Sequence, residues 1–60
     1  MSAVYNPEAD IIAEIEKLEI DARDMRRRLE HAGNSEDKRV LNRLLKEMEM
    51  RVEHLRRKLP

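Results

Sequence analysis

The sequence contains no cysteine, tryptophan, phenylalanine, glutamine or threonine, and it has one glycine and one tyrosine. The absence of cysteine excludes a disulfide framework and thiol chemistry. With so few aromatic residues, the apolar side chains are Leu, Ile, Val, Met and Ala, which suit helix packing better than a ligand pocket. There is neither a signal-peptide pattern nor a run of about 18 apolar residues, so we expect a cytoplasmic protein with no membrane contact.

Charge is abundant but balanced. Charged residues make up 43% of the 60 residues, with 13 Lys and Arg against 13 Asp and Glu. A net charge of zero argues against a general binder of polyanions, although it leaves room for a local basic patch. The length allows at most one domain, and a chain this short buries little surface alone.

A first helix is predicted over about residues 7–32. Asn6 is a suitable cap, Pro7 fits the first helical position, and Glu8 and Asp10 favour the positive end of the helix dipole. Apolar residues then recur at alternating steps of four and three, as in a heptad repeat: Ile11, Ile15, Leu18, Ala22, Met25 and Leu29.

A second helix is predicted over about residues 36–59. Glu36 and Asp37 lie in its first turn, with either Asn34 or Ser35 as the cap. Its apolar residues follow the same spacing: Leu41, Leu45, Met48, Val52, Leu55 and Leu59. We call these twelve residues of the two helices the seam.

The seam does not continue in phase from one helix to the next. Leu29 and Leu45 are 16 residues apart, two more than two heptads, which fits neither a stutter nor a stammer. Gly33 is suited to end a helix in a left-handed conformation. We therefore predict a turn at residues 33–35 between two antiparallel helices rather than one long helix.

Antiparallel pairing of the seam can be written residue by residue. It gives the pairs Leu29–Leu41, Met25–Leu45, Ala22–Met48, Leu18–Val52, Ile15–Leu55 and Ile11–Leu59. On one flank it places Glu14 near Lys58 and Asp21 near Arg51; on the other it places Glu19 near Glu49, Ile12 near Arg56 and Arg26 near Asn42. The first flank is charge-matched and the second is not.

A two-helix hairpin leaves the seam open to water on both sides, so we expect association. The fold class predicted is all-α: an antiparallel, coiled-coil-like hairpin that dimerises into an antiparallel four-helix bundle. The acidic start of the first helix would then lie against the basic turn end of the second copy. The candidate dimer contacts are Ile12, Glu19, Glu49 and Tyr5. Tyr5 is equally suited to pack with Val4 onto its own helix as a hydrophobic staple.

Basic residues converge at the turn end of the hairpin. Arg26, Arg27, Arg39 and Arg43 are the candidate contacts to a partner or to nucleic acid phosphates. Acidic residues interleave with them, and no aromatic side chain is nearby to stack on bases. Dipole compensation and salt bridges are therefore the favoured interpretation, with nucleic acid binding as the alternative.

No catalytic, cofactor-binding or metal-ligating residues are predicted. His31 and His54 lie far apart in the hairpin and lack ligands at helical spacing, so surface positions are favoured. Ser35 has no base within reach and is better suited to capping. Two helices also provide no water-excluding pocket in which carboxylates could act as acid and base.

The layout "IIAEIEKL…L…LNRLL" resembles the helical hairpins of sporulation phosphatases, whose Ser-Gln-x-x-Asp signature is absent here. In architecture the chain also resembles an RNA-binding plasmid copy-number regulator, a ribosomal large-subunit hairpin and small type III secretion chaperones. The predicted function is a non-enzymatic protein–protein interaction module acting as adaptor, chaperone or regulator. It works as a homodimer with an unidentified protein partner, and the alternative is an RNA-binding regulator.

Overall fold

The computed structural model describes residues 6–60, which form two helices and no strand. Helix α1 spans Pro7–Glu30 and helix α2 spans Ser35–Arg56. The helices pack against each other, and residues 31–34 connect them. Ion pairs that join early residues of α1 to late residues of α2 show that the helices are antiparallel, as in Glu14–Arg51 and Glu19–Arg56. The predicted all-helical hairpin is confirmed.

Helix α1 begins as the sequence predicts. Asn6 has extended backbone angles, with φ −124° and ψ 91°, and Pro7 takes the first helical position. The Asn6 side-chain oxygen accepts a hydrogen bond from the backbone N–H of Ala9 at 3.2 Å. One of the amide groups that every helix start leaves without an intrahelical partner is thereby satisfied.

Helix α2 is capped by Asn34, and Ser35 is its first helical residue. The Asn34 Oδ1 atom accepts a hydrogen bond from the backbone N–H of Asp37 at 2.7 Å. Its Nδ2 atom donates in return to the Asp37 carboxylate at 3.2 Å. The Asn34 side chain thus caps the Asp37 amide and is itself held by the Asp37 side chain. The choice between Asn34 and Ser35 is therefore decided in favour of Asn34.

Both helices end before the predicted limits, because their final turns tighten. After Glu30, the N–H of His31 donates to the Arg28 carbonyl at 3.2 Å, a three-residue step. After Arg56, the N–H groups of Lys58 and Leu59 make the same kind of step at 3.0 and 3.1 Å. Such 3₁₀-type turns are common at helix ends. They keep Leu59 close to the core although it lies outside the α-helix.

Gly33 does not have the left-handed conformation that the sequence suggested. Its φ is not positive, and a Cβ placed on it would meet no atom within 4 Å. The chain reverses through an extended connection in which Asn34 has φ −125° and ψ 158°. The reversal therefore does not depend on the special freedom of glycine.

The seam forms the interface between the helices. All twelve of its side chains are buried or half-buried. Four are fully buried, with exposed fractions of 3–7%: Ile15, Ala22, Val52 and Leu55. The main cluster contains Ile15, Val52 and Leu55, with Ile11, Leu18 and Leu59 packed against it. These six residues are the members of the three predicted pairs nearest the chain ends, so the structure brings them together in one cluster.

The molecule is a flat rod. Its principal extents are 53, 22 and 12 Å, and its radius of gyration is 15.1 Å, against about 10 Å for a compact globule of this length. The hairpin therefore has two broad faces, and the seam is partly exposed to solvent on them. Neither α1 nor α2 combines the length and apolar character that a membrane crossing requires.

Candidate interaction surfaces

Two flanks border the seam, each made of residues at seven-residue intervals. We call the flank with Ile12, Glu19, Arg26, Glu49 and Arg56 the Glu19 flank. We call the flank with Glu14, Asp21, Arg28, Leu44 and Arg51 the Arg51 flank. Because a seven-residue step is close to two helical turns, the residues of each set share one side of the hairpin.

The Glu19 flank is charge-matched within one chain, which corrects the prediction made for it. Arg56 donates to Glu19 at 3.0 Å, and Arg26 donates to Glu49 at 3.1 Å. All four side chains remain about half exposed. Glu19 and Glu49 therefore do not need a second copy to supply cations.

Among the described residues, the Arg51 flank has one ion pair across the seam, and its partners differ from those predicted. Arg51 donates through Nε and Nη2 to one oxygen of Glu14, at 3.2 and 3.1 Å. Asp21, its predicted partner, is half-buried and makes no ion pair with any residue in 6–60. Lys58 likewise lacks the predicted pairing with Glu14.

In each observed flank pair, the partner on α2 lies seven residues from the partner that was predicted. Flank residues of the two helices do not lie at the same height along the long axis of the hairpin. Each flank side chain therefore has one nearer and one farther neighbour on the opposite helix. On the Glu19 flank, Cα–Cβ bonds point toward the amino terminus of each helix, so Glu19 and Arg56 lean toward each other. On this flank opposite charge favours the observed pairs, whereas on the Arg51 flank the predicted and the observed partners are both opposite in charge.

A groove opens on the Glu19 flank beside the small side chain of Ala22. It has a volume of about 460 Å³, and Ala22 and Val52 are its apolar lining. The remaining lining residues are charged: Glu19, Arg23, Arg26, Glu49, Glu53 and Arg56. We call it the Ala22 groove. Ile12, one heptad before Glu19 on the same flank, is 45% exposed, whereas Tyr5 lies outside the described residues.

The four candidate arginines of the turn end do not act as one free cluster. Arg26 pairs with Glu49 at 3.1 Å, Arg27 lies 3.9 Å from Asp24, and Arg43 lies 3.8 Å from Glu47. Of the four, only Arg39 makes no ion pair within residues 6–60. Exposed pairs of this kind contribute little stability, yet they lower the net positive field of this end.

A second groove lies at the turn end on the Arg51 flank, and sequence reasoning did not single it out. It has a volume of about 350 Å³ and is lined by Arg28, Ala32, Asp37, Val40 and Leu41. We call it the turn groove. The available signal was the four-residue spacing of Val40 and Leu44, two large apolar residues outside the seam.

The two histidines and Ser35 occupy ordinary helix-end positions. His31 is the residue that caps the carboxyl end of α1, and His54 lies in the last turn of α2, where a basic side chain suits the dipole. Across residues 6–60, no three histidine or acidic side chains converge as a metal site would require.

Compared with models of known protein families, with curated proteins and with solved structures, the chain has no match.

Proposed function

We propose that this protein is a small, non-enzymatic interaction module of the cytoplasm that works as a homodimer. In the dimer, two hairpins pack as an antiparallel four-helix bundle. The module then acts as an adaptor, chaperone or small regulator by holding a protein partner.

The observation that carries this proposal is the incomplete burial of the seam. Eight of the twelve seam side chains are only half-buried, and the fully buried ones number four. Covering apolar surface stabilises by about 25 cal/mol per Å². A second hairpin laid on one broad face would cover one open side of the seam.

The Glu19 flank is the face that suits this contact. Its flank charges, Glu19, Arg26, Glu49 and Arg56, are paired within each chain, so none of these four lies unpaired against the second copy, a situation that is costly when it occurs. Ile12 offers an exposed apolar side chain on this flank, and the Ala22 groove offers space. An antiparallel two-fold arrangement brings Ile12 of each hairpin toward the Ala22 groove of the other.

The area available is sufficient. The broad face measures 53 by 22 Å, and stable interfaces bury about 800 Å² on each partner. A dimer that uses most of one face meets this requirement without any change in the hairpin.

Sedimentation equilibrium at micromolar concentration tests the proposal. The wild-type chain is expected to sediment as a dimer, and Ile12→Glu is expected to sediment mainly as a monomer. The matched control is Ile20→Glu, on the same helix. Ile20 is 58% exposed and lies about 100° further around α1 than Glu19, away from the proposed contact.

Two results would contradict the proposal. One is a folded wild-type monomer at micromolar concentration. The other is equal weakening of the dimer by Ile12→Glu and Ile20→Glu, which would mean that the Glu19 flank is not the contact. Circular dichroism of each variant shows whether the hairpin itself remains helical.

A further inference from the structure

We infer that the turn groove is a docking site for an acidic segment of a partner protein that carries apolar anchor residues. This inference rests on the proposed function as an interaction module and names the chemistry of the partner. The dimer proposed above uses the Glu19 flank, so the turn groove on the Arg51 flank stays open in each hairpin.

The apolar part of the site consists of four residues on two elements. Val40 is 52% exposed and Leu44 is 39% exposed, one helical turn apart on α2. Ala32 and Leu41 line the groove beside Val40 and are half-buried. Exposed apolar patches with a polar rim mark interaction sites. Val40 lines the groove, and Leu44 extends the apolar surface by one helical turn.

The volume of the groove is large enough to hold whole apolar side chains. At about 350 Å³, it is roughly twice the ~150 Å³ of a protein cavity that accepts benzene. One or two apolar side chains of a partner segment can therefore enter it. The groove is open to solvent, so the rest of such a segment can lie across the turn.

The charged surroundings select an acidic partner. Arg28 lines the groove and makes no ion pair within the described residues. The one acidic side chain of the lining, Asp37, accepts a hydrogen bond from the Asn34 amide. A carboxylate beside the anchor residues of a partner would meet Arg28.

A protein segment fits this site better than nucleic acid does. Residues 6–60 contain no Phe, Tyr or Trp side chain to stack on a base, and stacking is a main source of affinity for single strands. Three of the four candidate arginines are paired to carboxylates. The lining of the turn groove is mainly apolar, which a phosphate backbone does not use.

Fluorescence anisotropy with two probes tests the inference on the full-length chain. The first probe is a labelled synthetic helix in which leucine and glutamate alternate at helical spacing. The second is a labelled single-stranded RNA of equal length. The peptide is expected to bind and the RNA is not expected to bind at physiological salt. Val40→Glu is expected to weaken peptide binding about tenfold or more, as for a central interface residue.

Arg28→Glu is expected to weaken peptide binding several-fold, and more strongly at low salt, where rim charges are less screened. Matched controls come from the same flank and the same helix. Lys58→Glu reverses a charge one heptad beyond Arg51, at the opposite end of the flank. Met50→Glu changes an apolar residue that is 62% exposed on α2. Both controls are expected to leave peptide binding unchanged.

Amide chemical shifts give an independent location for the peptide. They are expected to change at Ala32, Val40, Leu41 and Leu44 and not along the Glu19 flank. The inference is overturned if the peptide does not bind, if the controls weaken it as much as Val40→Glu does, or if RNA binds and depends on Arg28 alone. It is also overturned if Val40→Glu abolishes the dimer, because the groove would then be occupied by a second copy.

The outcome is separable from that of the proposed dimer. Ile12→Glu is expected to break the dimer and leave the peptide bound, whereas Val40→Glu is expected to release the peptide and leave the dimer intact. Failure of the dimer with retained peptide binding contradicts only the bundle. Failure of peptide binding in an intact dimer contradicts only the docking site.

Discussion

The two halves of the hairpin are built differently, although both follow the same heptad spacing. The open half, residues 7–21 and 50–60, contains three of the four buried side chains: Ile15, Val52 and Leu55. The turn half, residues 22–49, contains only Ala22, and its other seam residues are half-buried. The open half is thus the better packed, although it is the half without a covalent connection.

This difference indicates how the molecule divides its tasks. In the open half, the packing of large branched side chains keeps the helices together. In the turn half, the covalent connection holds the helices together, and the Asn34 cap orders the start of α2. Side-chain packing is needed less there, so Val40 and Leu44 are available for contacts outside the hairpin.

The largest expected effect comes from truncating the core of the open half. Leu55 is 3% exposed, and Leu55→Ala should lower the unfolding free energy of the protein by about 2–5 kcal/mol. Leu45→Ala is the matched change in the turn half and should cost clearly less, because Leu45 is only half-buried. Urea denaturation followed by circular dichroism measures both. Equal losses would mean that the halves do not differ in packing.

A smaller effect is expected at the cap of the turn half. Asn34→Ala removes the acceptor for the Asp37 amide and should lower the unfolding free energy by about 1 kcal/mol. Ser35→Ala is the control, since Ser35 is the first helical residue and not the cap. Thermal unfolding of both variants gives the comparison. A larger loss for Ser35→Ala would place the cap one residue later than the structure does.

The features that depend on spacing along one helix were predictable from the sequence. The seam, the Asn6 cap with Pro7, and the reversal between the helices follow from heptad phase and local capping chemistry. The grouping of Ile15 and Leu55 in one cluster follows as well, because large apolar residues on facing stripes have few alternative neighbours. These features need only the geometry of an isolated helix and the need to bury its apolar stripe.

The flank contacts and the grooves were not predictable in the same way. Whether Arg51 meets Asp21 or Glu14 depends on the stagger of the helices and on side-chain direction, which a residue-by-residue pairing omits. The Ala22 groove depends on what neighbouring charged side chains leave uncovered. The conformation of Gly33 depends on the whole connection, so the presence of a glycine did not determine a left-handed turn.

The connection itself should tolerate a side chain. Gly33→Ala is expected to raise the unfolding free energy by about 0.4–1 kcal/mol, since alanine has fewer unfolded conformations to lose. Open space around the position and the absence of a positive φ remove the usual penalty. Thermal unfolding is again the measurement. A destabilised variant would mean that the turn half does depend on glycine and is more tightly constrained than the open half.

The smallest expected effect is the coupling of the open-half ion pair. A double-mutant cycle of Glu14→Ala and Arg51→Ala should give about 0.2–1 kcal/mol, because both side chains are about half exposed. The same cycle with Asp21→Ala should give nearly zero, since Arg51 bonds to Glu14 instead. High salt should reduce the first value. A larger coupling to Asp21 would restore the pairing that spacing alone suggests, and the stagger of the helices would then differ from the one described.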